Sequence, residues 1–119
     1  MPIADRFESN LWIPYNPTHG KENPHYSLQH AQAIVATNGL MAFTQTAIMD
    51  AAALGLSVDA ACQVVRQLTR SMFYKSMTTH ADSRVWQDVY HAPCPNGKLA
   101  YIKLTITQSG RVVIAFKEK

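Results

Sequence analysis

LAYIKLTITQSGRVVIAFKEK, Leu99 to Lys119, alternates apolar and polar residues on both sides of a short polar break. Strict alternation marks a half-buried strand, because successive side chains leave opposite faces. Ile102, Leu104 and Ile106 fall on one face of the first segment, and Tyr101, Lys103, Thr105 and Thr107 on the other. Val112, Ile114 and Phe116 share a face of the second. A three-residue loop, Gln108-Ser109-Gly110, with Gly110 left-handed, makes Ile106 face Val112, Leu104 face Ile114 and Ile102 face Phe116. A slip of one residue would mix the faces. The same register sets Tyr101 opposite Lys117 on the polar face, beside Lys103. By pattern alone, that face is a solvated sheet surface first and a phosphate-binding platform second.

Upstream of the hairpin, residues 73–79 and 85–90 also read as strands, alongside 99–107 and 112–117, all rich in Val, Ile, Thr, Tyr and Phe. Asn96-Gly97 signals a turn between the second and third. Before Leu68 the period is helical. Ser27 caps a helix with the stripe Leu28, Ala31, Ile34 and Val35, which Asn38-Gly39 ends. Thr44 caps a second that buries Ala47, Ile48, Ala51 and Leu54, with Gly55 as its stop. Ser57 opens a third that buries Ala61, Cys62, Val65 and Leu68. Helices first and a mostly antiparallel sheet second make an α+β domain.

Residues 1–23 read as an irregular arm ahead of a single domain over 24–119, broken by Pro2, Pro14, Pro17 and Gly20. Its Leu11, Trp12, Ile13 and Tyr15 are apolar enough to dock on the domain or on a second copy, so a homodimer is one possible assembly. A chain of 119 residues, 47% hydrophobic, buries a core without staples. No apolar run reaches the length of a membrane span, and Asp5 and Glu8 stand where a secretory signal would be basic. Cys62 and Cys94 fit neither a disulfide framework nor a zinc spacing, and a reduced, cytoplasmic protein is expected. His19, His25 and His30 have no carboxylate or cysteine at ligand spacing, and Asp82 and Asp88 are too dispersed for magnesium. Neither metal nor cofactor is expected. The net charge of +3 is unevenly spread: residues 1–70 carry four Lys/Arg against five Asp/Glu, and residues 71–119 seven against three. A basic C-terminal half suits a polyanion such as RNA, although solvated lysines give the same count.

The strands also carry a specific series. FYKSMTT (Phe73–Thr79), VWQDVY (Val85–Tyr90), YIKLT (Tyr101–Thr105) and a terminal FKEK (Phe116–Lys119) occur in this order. The series resembles the MqsR family of messenger RNA interferases, and PHYSL (Pro24–Leu28) and the Ala53–Asp59 segment resemble it more weakly. The resemblance implies a RelE/YoeB-like fold. It implies a ribosome-independent endoribonuclease toxin that cuts messenger RNA at short sites such as GCU or GCA. It also implies an MqsA-type antitoxin with a zinc-bound domain and a helix-turn-helix domain, and links to biofilm formation, motility, quorum sensing and persistence. Carried over one at a time, the family's functional positions fall on Lys75 after Phe-Tyr, Gln87 after Trp, Tyr101 of the Tyr-x-Lys strand and Lys117 of the terminal motif. Tyr101 and Lys117 are also the pair that the hairpin register joins. The chain departs from the family pattern at His80, in place of tyrosine, and at His91, in place of arginine just after the VWQDVY strand. The loop from Ala92 to Lys98, with Pro93 and Pro95, is about one residue longer.

A metal-free ribonuclease uses the substrate's own 2′-hydroxyl as nucleophile and leaves a 2′,3′-cyclic phosphate and a 5′-hydroxyl. It needs a proton acceptor, cations for the phosphorane and an acid for the leaving oxygen. Lys75 and Lys117 supply charge, and Gln87, which does not titrate, positions phosphate or base. Tyr101 stacks or donates a hydrogen bond, and it serves as a base only if lysines depress its pKa. Lys103, His91 and His80 are candidate substrate contacts, His91 being the better of the two histidines for acid–base work. Trp86 and Tyr90 alternate with Gln87 and are expected in the core. The alternative is a non-catalytic RNA-binding regulator on the same fold. A DNA-binding module fits poorly, because the helices are nearly uncharged.

Overall fold

A computed structural model describes residues 22–119. Three helices, α1 (Leu28–Asn38), α2 (Gln45–Ala53) and α3 (Val58–Arg66), precede four strands: β1 (Phe73–Thr78), β2 (Trp86–Pro93), β3 (Leu99–Ile106) and β4 (Val112–Glu118). The expected arm, including Leu11, Trp12, Ile13, Tyr15 and His19, lies outside the described residues save for Glu22 and Asn23.

Each helix begins where its cap residue stands. The side chains of Ser27, Thr44 and Ser57 accept from the backbone N–H of His30, Ala47 and Ala60, satisfying donors that the first turn leaves free. Ala31 and Val35 of α1, Ala47 and Ala51 of α2, and Ala61, Val64 and Val65 of α3 are buried. Ile34, Ile48 and Cys62, read as core, are only partly buried at its margin. Gln32 of α1 reaches the carbonyls of Val65 and Leu68 at 3.2 and 2.9 Å, binding α1 to the C-terminal end of α3.

The strands form one antiparallel meander in the order β1-β2-β3-β4. The last hairpin has the expected register: Ile106 faces Val112, Leu104 faces Ile114, Ile102 faces Phe116 and Tyr101 faces Lys117. Gly110 sits at φ 84°, the left-handed conformation the three-residue loop needs. Ile102, Leu104, Val112, Ile114 and Phe116 pack with Tyr90 against the helices as one core. At the β4 edge, Phe43 bridges to Ile114, and Thr44 donates to the Ile114 carbonyl from both its amide (3.3 Å) and its hydroxyl (3.2 Å). These contacts fix the start of α2 on β4.

Two expectations change. β2 does not stop at Tyr90 but runs to Pro93, because His91, Ala92 and Pro93 pair with Tyr101, Ala100 and Leu99. Pro93 ends the ladder, where its missing N–H costs no hydrogen bond. Trp86 is not a core residue. It is half-buried and stacks on His25, with ring centroids 5.1 Å apart and planes 14° from parallel. Beside it, buried Asp88 accepts from the amides of His25 (2.9 Å) and Tyr26 (2.8 Å), one at each carboxylate oxygen. Asp88 is thus the anchor of the segment that leads into α1.

Candidate functional site

The face of the sheet away from the helices carries the candidate residues in rows. Across the sheet, His91, Tyr101 and Lys117 lie side by side on β2, β3 and β4. In the next row Lys75, Val89, Lys103 and Ala115 follow one another from β1 to β4. Lys75 and Lys103 flank Val89, two strand spacings or about 10 Å apart, within reach of one phosphate for their long side chains. Gln87 pairs with Met77 one row further along. Six of the seven candidates, Lys75, Gln87, His91, Tyr101, Lys103 and Lys117, therefore share one face. His80 does not join them: it is exposed in the loop after β1, at the opposite end of β2 from His91.

A seventh side chain enters the cluster through a backbone irregularity. The β1–β2 register shifts between Phe73 and Lys75, so Tyr74 occupies a β-bulge. Its ring stacks on His91 at 4.4 Å, and His91 in turn lies 5.4 Å from the Tyr101 ring. Lys75 Nζ stands 5.3 Å from the Tyr74 ring centroid and Lys117 Nζ 5.4 Å from that of Tyr101. The result is a run of three rings with an ammonium group at each end. Alternation places Tyr74 opposite to Lys75, so a sequence reading misses it. The bulge has no signal in the residue types.

Protonation follows from this packing. Burial pushes the Tyr101 phenol up, and the neighbouring Tyr74 adds to the effect. The shift is upward, so the Tyr101 phenol is protonated near neutral pH. Burial lowers the His91 pKa, helped by the charges of Lys119 and Lys75, so its imidazole is neutral at pH 7. Its Nε2 is buried without a hydrogen-bond partner among the described residues.

A basic, aromatic sheet face backed by a three-helix core defines an α+β protein suited to a polyanionic chain. Residues 23–118 match the family described as motility quorum-sensing regulator, toxin of MqsA. The chain is 38% identical over 99 residues to the mRNA interferase toxin MqsR of Escherichia coli K12, covering 83% of this chain and 98% of that protein. The chain belongs to the MqsR toxin family. Membership brings an antitoxin partner and an RNA substrate. Among the described residues no single helix is long and apolar enough to cross a membrane.

Proposed function

We propose that this toxin cleaves messenger RNA on the Tyr101 face, by attack of the substrate's 2′-hydroxyl and without a metal ion. One observation carries the reading: Tyr101 lies between His91 and Lys117 in a single row, with Lys75 and Lys103 in the next. Phosphoryl transfer is catalysed mainly by positioning and by charge placed where the transition state becomes negative. The Lys75, Lys103 and Lys117 ammonium groups face the phosphorane oxygens, and the protonated Tyr101 hydroxyl donates to one of them. Gln87 holds the adjacent phosphate or base edge. Tyr74 and His91 offer a ring on which a flanking base stacks. His80 meets the RNA only beyond the cut linkage.

The site prefers short sequences of the GCU or GCA kind and works without the ribosome. Residues 24–119 form the toxin domain and residues 1–23 an arm, which also offers a contact for a homodimer. The antitoxin is of the zinc-binding, helix-turn-helix MqsA type, and the pair acts in the cytoplasm. Purified protein incubated with synthetic RNA tests the catalytic reading. The wild type cuts, and the Lys75→Ala/Tyr101→Phe double variant binds but does not cut. Wild-type protein that binds RNA without cutting it would instead mark a silent regulator.

A further inference from the structure

The reaction needs a proton acceptor, and the polar face supplies few. Lysine ammonium groups are ordinarily charged at pH 7, Gln87 does not titrate, and Tyr101 holds its proton. The neutral His91 has one ring nitrogen buried and both neighbouring rings packed beside it. A carboxylate stands at the rim instead. Asp50 of α2 lines a small depression of about 160 Å³ together with Tyr101, Lys103, Ala115, Phe116 and Lys117. That is small beside the roughly 300–1,000 Å³ of a ligand pocket, and it suits one phosphodiester linkage.

Asp50 is also out of place as a structural residue. It occupies the last turn of α2, where the helix dipole disfavours an anion, and no basic residue shares that turn. Its carboxylate makes no hydrogen bond or salt bridge with a described residue. It is half-buried at the edge of the Ala47–Ala51 stripe, and the Phe43 and Thr44 contacts to Ile114 hold its helix on β4. A residue that breaks local rules without structural compensation is a candidate for function.

We propose that Asp50 is the general base of the cleavage reaction, accepting the 2′-hydroxyl proton of the nucleotide held against Tyr101 and Lys117. The bond between the 2′-oxygen and phosphorus forms as the bond from phosphorus to the 5′-oxygen breaks. The 2′ proton passes to the Asp50 carboxylate, and the leaving oxygen takes a proton from the Lys117 ammonium. Asp50 then gives its proton to solvent and the Lys117 amine takes one up, which restores both groups. The charged and titratable groups facing Asp50 are Tyr101 and Lys103 of β3 and Lys117 of β4. The other neighbour of α2 is α3, whose Asp59 and Arg66 lie outside the depression.

This proposal rests on the Tyr101 face being the cleavage site, so the test has two arms. Single-turnover cleavage of a synthetic RNA in EDTA is followed at pH 7, with melting temperatures measured in parallel. Asp50→Asn is expected to lower the rate constant about 10²–10⁴-fold. Its melting temperature stays the same or rises, and Asp50→Glu recovers part of the rate. An unchanged rate in Asp50→Asn, while Lys117→Ala is strongly impaired, overturns the proposal. A fully active Lys117→Ala overturns the site itself.

Discussion

Lys117 stands directly across the β3–β4 ladder from Tyr101, its Nζ 5.4 Å from the centre of the phenol ring. The pairing follows from hydrophobic register and the three-residue loop, because a slip of one residue would turn the apolar face of one strand away from the core. The force that builds the core therefore also assembles the polar pair on the opposite face. Lys117 is exposed and adds little to stability. Replacing it with alanine should leave the urea midpoint within about 0.5 kcal/mol of wild type. The same change should lower RNA cleavage about 10²–10³-fold, as loss of one charge-stabilising donor does.

Tyr74 should contribute to binding more than to turnover. It is the outermost ring of the run and is 54% exposed, leaving a face on which a base can stack. A base–aromatic stack is worth about 1–3 kcal/mol. Tyr74→Ala is expected to raise KM about 5- to 100-fold with kcat nearly constant. Steady-state kinetics on a short RNA separates the two parameters.

His91 makes stability depend on pH below neutrality. Its pKa is lowered in the folded protein, so the unfolded chain takes up the proton first as pH falls. Its contribution is complete above the ordinary histidine value of 6.5 and is lost as pH drops through the lower folded value. The urea midpoint of the wild type should therefore fall from pH 7 to pH 5 more steeply than that of His91→Gln. Lys119→Ala removes one cause of the shift, and the His91 ring resonances should then titrate at higher pH.

Asp88 should be the most sensitive polar position away from the site. Its two oxygens satisfy the amides of His25 and Tyr26, and it is almost fully buried. Asp88→Ala leaves both amides without their acceptor, at a cost of about 2–4 kcal/mol. Chemical denaturation should report that loss, and hydrogen exchange should show the Tyr26 amide opening.

Tyr90 bears on the alkaline side. Its side chain is fully buried, its hydroxyl has no partner among the described residues, and burial, with Asp88 adding to it, raises its pKa to about 12. The folded state favours the neutral phenol, so this contribution is complete below pH 10 and is lost as pH rises towards 12. Tyr90→Phe should be neutral or stabilising by about 1 kcal/mol at pH 7, and its advantage should widen above pH 10. Paired urea titrations of the two proteins measure the difference.

The legible parts of this protein are those governed by short-range rules. The caps at Ser27, Thr44 and Ser57, the left-handed Gly110 and the register of Ile102 with Phe116 depend on a few adjacent residues, and each reads directly from their types. His91 was harder, because Pro93 signals a loop unless one knows that Leu99 lies beside it at the end of the ladder. Tyr74 was hidden by the bulge, and Asp50 by the packing of α2 along the β4 edge, which sequence spacing does not encode. Trp86 misled for a similar reason: alternation gives its face, while the chain segment at His25 decides what covers it.

Substitution of a single 2′-deoxynucleotide on the 5′ side of the cut linkage removes the nucleophile and leaves the rest of the substrate in place. With EDTA present, the unmodified RNA should yield a 2′,3′-cyclic phosphate and a 5′-hydroxyl, and the deoxy-substituted RNA should be bound but stay intact at that linkage. Cleavage of the deoxy-substituted linkage at a comparable rate, or ends bearing a 3′-hydroxyl and a 5′-phosphate, would rule out attack by the 2′-hydroxyl.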